Sequence, residues 1–74
     1  MTYNGELIRN ELIRQGMTVQ AFARKAGMSP TTVRFVLRGG RATHLRTCSK
    51  VANALGIDPP SRVLLDDEEA EKRR

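Results

Sequence analysis

Apolar residues recur at helical spacing along this chain, and glycine or proline interrupts them every eight to twelve positions. In the first segment, about residues 4–15, Leu7, Ile8 and Leu12, with Ile13 beside them, form one stripe. Asn4 stands where an N-cap belongs, Glu6 lies in the first turn, and Gly16 follows as a stop. The second segment, 18–26, has Thr18 as its cap, with Val19, Phe22 and Ala26 on one face and the small Ala23 beside them. Gly27 ends it. The third opens with Ser29-Pro30, a cap followed by a residue that suits the first helical position because its missing N–H would be orphaned there anyway. It runs to about Arg38, buries Val33, Val36 and Leu37, and stops at Gly39-Gly40. The fourth, from Thr43 to about Leu55, carries Leu45, Cys48, Val51, Ala52 and Leu55 on one stripe before Gly56. Asp58-Pro59 starts a fifth, shorter helix bearing Val63, Leu64 and Leu65. No alternating strand pattern occurs. The pattern predicts an all-α, compact bundle of five short helices over residues 1–65, followed by a charged tail over 66–74. There Glu68–Lys72 and Glu69–Arg73 are helical i, i+4 pairs.

Composition sharpens this picture. Seventy-four residues make one small domain. With a single cysteine there is no internal disulfide, and Cys48 on an apolar face reads as a small core residue. One Cys and one His cannot close a tetrahedral metal site, so neither metal nor cofactor is expected. No apolar run approaches the roughly 20 residues of a membrane span, and the MTYNGELIRN start lacks the build of a secretory leader. A soluble, cytoplasmic protein is the expectation. Acids confined to the two ends, one histidine and one core cysteine do not supply a base, a nucleophile and an orienting partner together, so no enzyme is expected.

Charge is unevenly spread. The net charge is +5, but residues 1–57 hold nine basic and two acidic side chains, and residues 58–74 hold four basic and six acidic. Between Glu11 and Asp58 there is no acidic residue. An acid-free basic stretch is the footprint of a polyanion binder.

Segments two and three are separated only by Gly27-Met28-Ser29, a turn that makes two helices cross steeply. The stretch VQAFARKAGMSPTTVRFVLRGG resembles the helix-turn-helix of the lambda-repressor and Cro-like family. Ala23 matches the small residue at the helix contact and Gly27 the turn. Phe22, Ala26 and Met28 match the apolar positions around the turn, and Val33 and Val36 the buried face of the second helix. TCSKVANALGI looks like the family's fourth helix, and the likeness extends over about residues 6–65. Two positions depart from it. Val19 stands where the family often has a phosphate-binding Gln, and Pro30 stands where a polar base reader is common.

The resemblance implies a small phage or bacterial DNA-binding regulator of the repressor or Cro type, with the third helix in the major groove of double-stranded DNA and the second crossing the backbone. The non-core residues of the third segment then supply the base readers: Thr31, Thr32, Arg34 and Phe35. Arg34 suits guanine O6 and N7, a threonine suits a base edge or a thymine methyl, and Phe35 suits thymine methyls. Phe35 would pack into the core instead if that helix were rotated. Thr18, Gln20, Ser29, Arg38, Arg41, Thr43, His44 and Arg46 are the candidate phosphate contacts, which position the protein without choosing sequence. Arg9 and Arg14 read as solvated charges, with phosphate contact as their alternative. A homodimer on DNA is expected, with Val63, Leu64 and Leu65 as its surface, because three adjacent apolar residues should not all face one small core. The rival reading is an antitoxin or adaptor module whose main partner is another protein. Non-specific DNA coating is a third.

Overall fold

The computed structural model of the chain describes residues 1–72. Four helices follow the punctuation of the sequence: α1 (Gly5–Arg14), α2 (Val19–Ala26), α3 (Pro30–Leu37) and α4 (Leu45–Leu55). Side-chain caps start three of them. Asn4 Oδ1 accepts from the Leu7 N–H at 3.1 Å, Thr18 Oγ1 from the Ala21 N–H at 3.1 Å, and Ser29 Oγ from the Thr32 N–H at 3.2 Å. Each satisfies an amide that a helix start leaves orphaned, worth about 0.5–2 kcal/mol per cap. Between α2 and α3 the chain turns at Gly27, whose φ of 70° is a left-handed conformation that a residue without Cβ adopts freely. The Met28 N–H closes this turn onto the Ala23 carbonyl at 2.8 Å. Ile8, Phe22, Val33, Val36 and Val51 bring α1 to α4 into one core and are fully buried.

Two apolar residues of the predicted stripes lie outside that core. Ile13 is 72% exposed on α1 and Leu45 is 78% exposed at the first position of α4. Leu45 shares the helical face of Cys48, but no described residue covers it. Ile13 is flanked by buried Leu12 and lies on the other side of α1.

The predicted fifth helix over 58–65 is not an α-helix. Pro60–Val63 form one 3₁₀ turn and Leu64–Leu65 a short strand, β2, that pairs antiparallel with β1 (Thr2–Tyr3), Thr2 opposite Leu65 and Tyr3 opposite Leu64. Consecutive prolines at 59 and 60 restrict the residues before them to extended backbone, which works against an α-helix here. The apolar trio then alternates as a strand does: Val63 and Leu65 are buried in the chain's own core and Leu64 is half-buried. So two of the three adjacent apolar residues do face the one core. The fifth α-helix, α5 (Asp67–Lys72), lies in the charged tail and starts where Asp66 Oδ1 accepts from the Glu69 N–H at 2.7 Å. Within it Glu68 and Lys72 pair at 4.0 Å. The Glu69–Arg73 pair falls outside the described residues.

Strand β1 lies between two partners. Besides β2, it meets the α3–α4 loop: the Tyr3 N–H donates to the Gly40 carbonyl at 2.9 Å, the Ala42 N–H to the Met1 carbonyl at 2.9 Å, and Thr2 bridges Arg41. At the other end of β1, Gly5 lets α1 abut the end of α3, since a Cβ at Gly5 would collide with the Leu37 carbonyl oxygen.

Candidate nucleic-acid interface

Helix α3 buries Val33 and Val36 and turns its other side outward. Thr31, Arg34, Phe35 and Arg38 are exposed and Thr32 is half-buried. Helical spacing divides these residues into two rows, and each row borders a cavity. Thr31, Arg34 and Arg38 line an open cavity of about 450 Å³ together with Leu37 and, from α1, Arg9. Thr32 and Phe35 line a smaller one of about 120 Å³ with Tyr3 and four residues after α3: Arg41, Thr43, His44 and Thr47. Three candidate phosphate binders on the α4 side, Arg41, Thr43 and His44, are thus brought together with Thr32 and Phe35 of the reading helix. Arg38 joins from the α1 side.

The aromatic ring of Phe35 lies across Gly40, where a Cβ would overlap it, and the residue is 42% exposed. It therefore belongs to neither extreme: it is not part of the buried core cluster, and its inner face is seated on the backbone. Thr32 is less available than its sequence position suggests. Its hydroxyl lies 3.0 Å from Ser29 Oγ, and its N–H is the one Ser29 caps. Ser29 and Thr18 are exposed but already engaged as caps, while Gln20 and Arg46 are exposed on α2 and α4.

Helix α4 differs from the other three long helices. Its N-cap, His44, makes no side-chain capping bond. The amides of its first turn carry the positive end of the helix dipole beside Arg41 and Thr43, a start open to an acceptor oxygen.

Electrostatics favour an anion over this surface. Ion pairs among the described residues are Met1 ammonium–Asp67, Arg14–Glu11 and Lys72–Glu68, so Arg9, Arg34, Arg38, Arg41 and Arg46 are in direct ion-pair contact with no described carboxylate. Arg14 is different: its guanidinium grips Glu11 at 2.9 and 2.7 Å. The acidic helix α5 packs on β2 and lines neither cavity beside α3. It does come near the α3–α4 loop, since Arg41 helps to lower the pKa of Asp67, after the larger effect of the chain's amino terminus.

Arg9, expected as a solvated charge with phosphate contact as its alternative, lies beside the arginines of α3 at the open cavity. The available signal was the pairing of Gly5 with Arg9 four residues on: a helix face with a glycine at close contact presents its next turn to the same neighbour. Tyr3 and Thr47 were also missed. Cys48 is buried, its thiol pushed up by burial, with Sγ 3.5 Å from the Pro60 carbonyl oxygen, a core placement. No described helix is long and apolar enough to cross a membrane.

A family model described as helix-turn-helix matches residues 8–61, about three-quarters of the chain. No curated protein and no solved structure matches it.

Proposed function

Since the chain belongs to the lambda-repressor and Cro-like helix-turn-helix family, and is thereby a DNA-binding regulator, we propose that it is a sequence-specific repressor of the phage or bacterial Cro type that acts as a dimer on double-stranded DNA. The observation that carries this reading is the outer side of α3: a row of exposed polar, aromatic and cationic side chains that, among the described residues, has no acid lining its cavities and no ion pair on its arginines.

Helix α3 enters the major groove, where Thr31, Arg34 and Phe35 face base edges. Thr32 supports its first turn through Ser29 and reads bases only at the edge of that contact. Arg41, Thr43, His44 and the open start of α4 hold phosphate on one flank, Arg38 on the other. Thr18, Gln20, Ser29 and Arg46 extend the backbone contacts. In this reading residues 1–65 are the DNA-binding body and 66–74 a charged tail.

Length argues for two copies. An eight-residue helix is about 12 Å long and spans only three or four base pairs. Two helices on half-sites about 34 Å apart supply the missing affinity and selectivity. Selection of bound duplexes from a random pool tests the whole reading. The expected product is a two-fold symmetric motif with half-sites one turn apart, bound with an affinity that falls steeply with salt. A pool that shows no enrichment overturns sequence specificity, and no retardation of any duplex at low salt overturns DNA binding itself.

A further inference from the structure

Resting on that reading, we propose that Arg9 of α1, with Arg38 of α3, forms a clamp for a phosphate group, and that its occupant is the DNA backbone strand running beside the recognition helix. Three arginines, Arg9, Arg34 and Arg38, line one open cavity of about 450 Å³. No carboxylate lines it, and none of the three arginines is in an ion pair among the described residues. Like charges gathered without a counter-charge repel one another, and a shared anion relieves that repulsion. Arginine suits the task because its planar fork meets two phosphate oxygens at once. Half-buried Leu37 forms an apolar wall on which the aliphatic stems can rest while their charged ends stay in the opening.

The gathering has a structural cause. Gly5 and Arg9 are four apart on one face of α1. The missing side chain at Gly5 brings that face against the Leu37 backbone, so the next turn of α1 carries Arg9 alongside α3. The same cavity is walled by Thr31 and Arg34, the base-facing residues of α3. A strand flanking a groove that holds α3 therefore passes this opening. Arg34 turns to the base edge, and Arg9 and Arg38 take the phosphate behind it. Arg9 thus adds a helix outside the helix-turn-helix to the flank that Arg38 holds.

The test uses the full chain, Arg9→Gln and Arg9→Lys, with folding checked by circular dichroism. Binding to a random duplex is measured from about 50 to 200 mM salt, and each protein is titrated with inorganic pyrophosphate. One lost phosphate contact lowers the slope of log affinity against log salt by about 0.9 per bound monomer, so the deficit of Arg9→Gln should shrink about 3.5-fold across that range. Arg9→Lys should keep the slope. That result supports the clamp on DNA. An unchanged slope in Arg9→Gln, with Arg9-dependent pyrophosphate binding, removes DNA as the occupant and leaves a site for a free phosphorylated ligand. An unchanged slope without pyrophosphate binding overturns the clamp while DNA binding stands. If the parent chain binds no duplex, the functional reading fails instead, and the pyrophosphate titration alone decides the clamp.

Discussion

Replacing Gly5 by alanine tests how closely α1 and α3 meet. The substitution adds one methyl at the first residue of α1. Built on the existing backbone, that Cβ overlaps the Leu37 carbonyl oxygen and lies 2.8 Å from the Leu37 carbonyl carbon. The obstacle is main chain, so no side-chain rotation relieves it; α1 or the end of α3 has to shift. Overpacking of this kind costs about 1–3 kcal/mol. Against it stands the narrower unfolded ensemble of alanine, worth about 0.4–1 kcal/mol. The clash wins, and the net loss is about 1–2 kcal/mol. A domain of this length has about 4–11 kcal/mol in total. Thermal unfolding followed by circular dichroism should show Tm lower by about 4–16 °C, taking about 4–8 °C per kcal/mol. Arg9→Ala, one turn later on the same face but open to solvent, should stay within about 0.5 kcal/mol of the parent. A Gly5→Ala protein as stable as the parent would refute the close approach and, with it, the reason given for Arg9 standing beside α3.

Arg34→Ala should cost about 1–3 kcal/mol on the selected site and little on random duplex, whereas Arg41→Ala should weaken both alike and lower the salt slope by about one per site; equal losses from Arg34→Ala remove it from the base readers. Gly40→Ala drives the Phe35 ring off its seat, but that ring is a half-exposed side chain that can swing away, so stability should change by less than about 1 kcal/mol while preference for the selected over random duplex falls; an unchanged preference takes Phe35 out of recognition. The Glu11 carboxyl is held below its ordinary 4.5 chiefly by hydrogen bonds from the Arg14 guanidinium. A carboxylate whose pKa is depressed on folding contributes stability above pH 4.5 that is lost as pH falls through the lower folded value, so urea titrations of Glu11→Gln should show a flatter decline there than the parent, and identical acid profiles would count against the pairing. Leu64→Asp, at the half-buried member of the apolar trio, should weaken both self-association and cooperative binding in sedimentation and gel-shift measurements; if neither changes, the dimer contact lies elsewhere.

Much of this architecture is legible in the sequence because it is locally determined. Asn4, Thr18 and Ser29 cap amides three residues on, and Gly27 needs only its own backbone to turn the chain, so each announces itself within a few positions. Helical spacing finds the face of Leu45 but not whether anything covers it, and at the start of α4 no described residue does. The sheet is illegible for another reason. Two-residue strands have no period to detect, and Thr2 meets Leu65 across nearly the whole chain. The exposed row of α3 follows from which of its residues are core. Arg9 does not, because its placement depends on how steeply α1 crosses α3, a matter decided at Gly5 and Leu37.

The backbone bonds from Met1 and Tyr3 to Ala42 and Gly40 keep the segment around Arg41 tethered before any ligand arrives. The loss of chain freedom there falls on folding, so little of it is left to oppose association. Bulky cargo fused ahead of Met1 would loosen that tether and slow or weaken complex formation without itself coming near a base pair.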